Sequence, residues 1–167
     1  SKGKVKINNC IITSEKSNGI IFEDSNKESL IDNCIIKNTG SDSIVISGNS
    51  NPLISNCRIF NSKAAGVWVE ESGKGQIFNS DIFENTNPNI VIETEGNPTI
   101  DHCKIYKSES YGIWVKENGK GQILNSDIFE NTRANIVIET AGNPTIDYCK
   151  IYKSKQGGIW VKEDGKG

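Results

Sequence analysis

Trp68, Trp114 and Trp160 stand 46 residues apart, and they are every tryptophan in the chain. Val91 and Val137 fall midway between them. Two places further along, the same spacing carries Glu70, Glu93 and Glu139, with Lys116 and Lys162 on the intervening units. Regularly spaced indoles are stacking chemistry: they anchor a protein partner or lie flat against sugar rings. Paired carboxylates at a suitable separation hydrolyse glycosides. These acids, however, simply follow the repeat, whereas an active site is one place and should break it. No residue is therefore assigned a catalytic role. His102, the one histidine, has no evident partner carboxylate or nucleophile in the sequence and reads as a solvated corner residue.

The elements that hold this line follow from the repeat. The chain divides into 23-residue units at 27–49, 50–72, 73–95, 96–118, 119–141 and 142–164, with a first unit, 3–26, carrying one extra residue near its end. Such a period marks a stacked architecture. Within a unit, position 5 is always Ile (Ile77, Ile100, Ile123 and their copies), as is position 10 (Ile82, Ile105, Ile128). Position 18 is Ile or Val, and position 20 is Phe, Ile or Val. Residues two apart on a strand share a face, so each unit holds three short strands with an inward β-branched set. Position 19, the tryptophan line, lies between two inward positions and is expected to face out as a continuous apolar ladder. Asn-Pro and Gly-Lys-Gly supply corners. Position 17 is Gly19, Gly66, Gly112 and Gly158, or Asn89 and Asn135, read as sites of positive φ.

Three strands and three corners make one coil. About seven coils at about 4.8 Å each make a rod of roughly 34 Å. The fold expected is all-β: a right-handed parallel β-helix solenoid with three short parallel sheets, forming a single repeat domain over 3–167 and part of a longer protein. Handedness follows the general preference for right-handed crossovers. Bare ends would leave unpaired strand edges and invite end-to-end or face-to-face self-association.

Two alternating unit types explain the 46-residue period. In an in-register stack each residue sits over its copy, and like charges repel. Position 9 reads Arg58, Asp81, Lys104, Asp127, Lys150, and position 12 reads Glu84, Lys107, Glu130, Lys153. The sign flips at each rung, which serves register and solubility. Position 11 is Phe60, Phe83, Tyr106, Phe129 and Tyr152, expected to stack ring on ring beside the core. Variation concentrates at positions 14–16 and at position 7, where Asn gives way to His102 and Tyr148.

All five cysteines (Cys10, Cys34, Cys57, Cys103, Cys149) fall on position 8, which shares parity with the buried Ile. They read as inward, reduced thiols. Ligands in a straight stack do not converge tetrahedrally, so no metal is expected, and no cofactor. Unpaired thiols lean toward a reducing compartment such as the cytoplasm, with the compartment otherwise unknown. A net charge of −2 lacks the basic footprint of nucleic-acid binding, and no apolar run approaches a membrane span.

The segments GNPTIDHCKIYKS, SGKGQIFNSDIFENT and GIWVKENGKG resemble the right-handed parallel β-helix repeats of carbohydrate-binding proteins and sugar hydrolases. In detail they look most like the β-helix substrate-recognition domain of F-box-only ubiquitin-ligase receptors and bacterial repeat proteins of that type. That family usually has Asn at position 8, where this chain has Cys or Ser. No F-box segment is present, and the calcium-binding Asp cluster and catalytic Arg of pectate-lyase-like relatives have no counterpart here. The resemblance implies the fold, and it carries little about function. The expected function is non-catalytic recognition of a protein partner through the Trp/Val ladder and the variable loops. The alternative is a carbohydrate-binding module or a polysaccharide-active enzyme. The expected binding residues are Trp68, Trp114, Trp160, Val91, Val137, Glu70, Glu93 and Glu139. A third reading covers the ladder with a flanking segment.

Overall fold

The computed structural model describes residues 4–25 and 29–167. They form 21 strands, and among the described residues there is no helix long and apolar enough to cross a membrane. The strands assemble into three parallel sheets of seven. One coil illustrates the rest: Thr99–Asp101, Lys104–Tyr106 and Ile113–Val115 each belong to a different sheet. Every strand pairs with its copy one coil away, so Ile77, Ile100 and Ile123 lie in register, as do Ile82, Ile105 and Ile128. The extra residue expected near the end of the first unit falls by residues 26–28, outside the described residues. The register shift within them lies between Ile12 and Ser14.

The core is the set of Ile and Val ladders that the alternation calls for. Ile77, Ile82, Ile90, Ile100, Ile105 and Ile113 are all 0% exposed. Each such side chain contributes roughly 1.5–3 kcal/mol of burial. On the end coils the same ladders lose their cover: Ile7, Ile12 and Ile20 are half-buried, and Ile159 and Val161 are exposed. Beside the core, the aromatic line stacks as expected. Ring centroids of Phe60, Phe83, Tyr106, Phe129 and Tyr152 follow one another at 4.8, 4.9, 4.9 and 5.0 Å.

The expectation of positive φ at position 17 is wrong. The left-handed residues instead sit at position 7 (Asn56, Asn79, His102, Asn125), at position 12 (Asn61, Glu84, Lys107, Glu130) and at the corner after the third strand (Glu117, Asn118, Thr140, Ala141). Gly112 is there for space: a Cβ on it would lie 2.5 Å from the Asn135 carbonyl oxygen and 2.6 Å from Asn131 Nδ2. Those asparagines belong to a buried network. Asn131 Oδ1 accepts from the Ser108 amide at 3.0 Å, Asn131 Nδ2 donates to Asn135 Oδ1 at 2.9 Å, and Asn135 Nδ2 donates to the Tyr152 carbonyl at 2.9 Å. Asn85 and Asn89 repeat the pattern between Ser62 and Tyr106. All four asparagines are 0% exposed. One unit type therefore carries Ser and Gly, and the other fills the space with two Asn. This volume match is a second cause of the 46-residue period, and it lies inside the coil, not on its surface.

The surface charges at positions 9 and 12 do stand opposite one another in the register, as Arg58, Asp81 and Lys104 do. Of the position-12 pairs, Lys153–Glu130 comes within 3.6 Å. At position 7 the side chains run as an exposed ladder, with Asn79 Nδ2 donating to Asn56 Oδ1 at 2.6 Å. Cys34, Cys57 and Cys103 point inward and are 1% exposed, while Cys10 and Cys149, on the end coils, are less covered; all five are free thiols. Burial pushes the Cys57 thiol up to about 11 and the Cys103 thiol up to about 12.

Candidate functional site

The third sheet presents position 19 outward, because positions 18 and 20 (Ile113 and Val115 around Trp114) are core. Trp68 and Trp114 are half-buried and Trp160 is 40% exposed. The continuous exposed apolar ladder is a corrected expectation. Val91 is 8% and Val137 0% exposed. The cause is the size of the indoles. Trp114 pairs with Val137 in register, and its Nε1 reaches one coil on to donate to Glu139 Oε1 at 2.7 Å. The ring therefore spans the small side chain between them.

Around the rings runs a charged frame. Lys116 Nζ lies 2.6 Å from Glu93 Oε2, 2.9 Å from Glu117 Oε1 and 4.8 Å from the Trp114 ring centroid. Burial by itself lowers the Lys116 ammonium, but its bonds to Glu93 and Glu117 outweigh this and hold it above the ordinary lysine value. Lys162 Nζ meets Glu139 Oε2 at 2.5 Å. Lys116 and Lys162 are thus part of the site, and they neutralise the acids they were read as interrupting. Tyr111 leans against Trp114 at 5.8 Å, with Arg133 at 5.5 Å from the Tyr111 ring.

Beside this line lies an open groove of about 460 Å³. It is lined by Trp68, Val91 and Trp114, by Ala64, Ala65, Pro88 and Ser110, and by the charged groups of Asp42, Glu93 and Lys116. The structure thus gathers Trp68, Val91, Trp114 and Glu93, and it ties Glu139 in through Trp114. Val137 is covered, and Trp160 stands on the last coil. Glu70 adjoins the acids: burial, then Glu71, Glu93 and Asp42, raise its carboxyl.

Asp42 is the residue that sequence reasoning missed. It is 6% exposed, and its Oδ1 accepts the Ala65 amide at 2.8 Å. Burial raises its carboxyl above the usual range. The signal was present: position 16 is Ala65, Pro88, Tyr111, Ala134 and Gly157 in the other full units, and Asp only here. His102 needs a correction too. It does have a partner carboxylate, Asp101, at 2.8 Å, on an exposed corner away from the groove. Among the described residues no three His, Cys, Asp or Glu side chains converge as metal ligands.

Comparison with known proteins agrees with this architecture. The chain matches no curated protein. Among solved structures, 97% of it superposes on the A-module of the Azotobacter vinelandii mannuronan C-5 epimerase AlgE4, with TM-score 0.84, 16% identity and 50% of that chain covered. The AlgE6 A-module from the same organism gives TM-score 0.78 at 14% identity, with 98% of this chain and 50% of that one covered. Pectate lyase Pel9A gives TM-score 0.60 at 11% identity, with 94% and 69% covered. The chain spans half the length of the epimerase modules. The family model for the right-handed beta helix region matches residues 1–134 and 44–167, and with its coil-by-coil register the chain belongs to that family.

Proposed function

We propose that the protein binds a polysaccharide strand along the outer face of the third sheet without cleaving it. The observation that carries this is the groove over Trp68, Val91 and Trp114. Two indoles two rungs apart, about 9.6 Å by strand spacing, flank a shallow trough rimmed by charged and polar groups. That is a surface for a regular polymer of ring-shaped, hydroxyl-rich units. The matched structures are named for enzymes of mannuronan and pectate, both polysaccharides, which supports the ligand class. Recognition of a protein partner through the ladder and the variable loops has less apolar surface to draw on, because Val91 and Val137 are covered.

What supports binding without cleavage is how the acids of this line are used. Glu93 and Glu139 are committed to Lys116 and Lys162, and Glu139 also to Trp114. They serve as partners of the ring and the lysines, and they follow the repeat as a single active site would not. Affinity electrophoresis through gels containing individual polysaccharides tests the reading. At least one glycan should retard the wild type, and Trp114→Ala should restore free mobility. Unretarded migration in every gel would refute it.

A further inference from the structure

Trp68 and Trp114 occupy equivalent places two coils apart, yet their indole N–H groups fare differently. Trp114 Nε1 donates to Glu139 at 2.7 Å, whereas Trp68 Nε1 is buried without an acceptor among the described residues. The acceptor it lacks is Glu93. Val91 pairs with Trp68 as Val137 pairs with Trp114, so Glu93 stands to Trp68 as Glu139 stands to Trp114. The backbones agree as well: the Glu93 amide donates to the Val69 carbonyl and the Glu139 amide to the Val115 carbonyl, each at 3.0 Å. Only the side chain differs, and the lysine one coil on is the cause. Lys116 Nζ takes Glu93 Oε2 at 2.6 Å, is bonded to Glu117 Oε1 at 2.9 Å, and lies over the Trp114 ring, 4.8 Å from its centroid. Held at three points, it draws Glu93 toward Trp114 and away from Trp68. Lys162 is looser, its side chain 43% exposed against 19% for Lys116, and Glu139 serves both that lysine and Trp114.

We propose that Lys116 is a displaceable cap on the Trp114 ring, and that a sugar ring stacking there lifts it and turns Glu93 to Trp68 Nε1. This rests on the polysaccharide reading and gives that site its control. An ammonium over an indole face and a sugar ring stacked on that face take the same space. Beside Trp68 the corresponding place holds Glu70, which offers no ammonium. Once lifted, Lys116 keeps Glu117 within reach of its flexible stem and gains water. Glu93 exchanges one donor for another, and the donor it gains is a buried N–H that lacks a partner. Leaving such a group unpaired is unfavourable, so satisfying it offsets part of the cost of uncapping. Capture of a sugar on Trp114 thereby fixes the Trp68 indole two coils away, through one carboxylate.

The test is NMR of protein carrying 15N-labelled tryptophan, whose three indole N–H signals are assigned from single Trp→Phe variants. Lys116→Ala removes the cap with no ligand present. It should move the Trp68 indole proton downfield and slow its exchange with solvent, while the Trp160 signal stays in place and reports an intact fold. Adding Glu93→Ala to Lys116→Ala should cancel the Trp68 change. Soluble glucan, mannan and xylan hexaoses are the ligand probes. A probe that binds should reproduce the Trp68 shift in the wild type. It should bind Lys116→Ala at least about threefold more tightly, the scale of a weak cation–ring contact. A Trp68 signal unmoved in Lys116→Ala overturns the proposal. A probe held equally by both proteins, or more weakly by the variant, keeps the groove reading and sinks the cap. If no probe binds while Trp68 still answers to Lys116→Ala, the exchange at Glu93 stands and its control by sugar is overturned.

Discussion

Trp114 Nε1 donates to Glu139 Oε1 at 2.7 Å across one rung of the third sheet, and the indole between them closes over Val137. This one bond decides how the outer face looks. It lays the ring along the rod, converts an apolar ladder into separated ring faces, and fixes the carboxylate that Lys162 then meets. Removing the acceptor should therefore loosen the ring. Glu139→Ala is expected to cost about 2 kcal/mol, the scale of a hydrogen bond to a charged group. Glu139→Gln keeps an oxygen for Trp114 and should cost less. Denaturant midpoints of the two variants check this, together with a red shift in tryptophan emission for the alanine variant.

The buried asparagines make a sharper stability prediction. Asn131→Ala leaves the Ser108 amide and Asn135 Oδ1 without their partners. Each orphaned buried group costs about 1–3 kcal/mol, so a loss of about 3 kcal/mol is expected by urea unfolding. Asn131→Ser, shorter but polar, should fall between.

Asp42 and Glu70 set a pH dependence whose sign is fixed. Burial raises both carboxyls in the folded chain. The unfolded chain therefore ionises first as pH rises, and stability is lost above the ordinary carboxylate range and kept below it. Asp42→Asn retains an oxygen for the Ala65 amide and removes the buried charge. It should be more stable than wild type at neutral pH and indistinguishable from it in acid. Thermal melts across that range measure the difference.

The thiols should divide by coil. Cys34, Cys57 and Cys103 are sealed, and burial holds the Cys57 and Cys103 thiols protonated, while Cys10 is exposed. At pH 8 a disulfide reagent should label Cys10 quickly and Cys149 more slowly. The other three should react only as the protein unfolds. Peptide mapping after timed quenching gives the order.

The stack was legible in the sequence because its cause is local and periodic. Ile at positions 5 and 10, and Ile or Val at 18, recur on a strict 23-residue count, and in-register pairing follows from the count alone. The rings from Phe60 to Tyr152 stacked for the same reason. What the sequence hid depends on side-chain reach. Whether Val137 is covered depends on where the Trp114 indole lies. Whether Gly112 serves turn or space depends on Asn131 and Asn135 filling the gap beside it. Asp42 has no copy in the other units, so no period marks it, and its burial depends on the coil that packs beside it.

The most direct measurement of the central claim is tryptophan fluorescence titrated with a panel of neutral, amino-sugar and uronate polysaccharides. A polysaccharide-binding groove should give a saturable change with at least one glycan, lost in Trp114→Ala and in Trp68→Ala. A flat response from the wild type across the panel would refute the groove, as would a response untouched by either substitution.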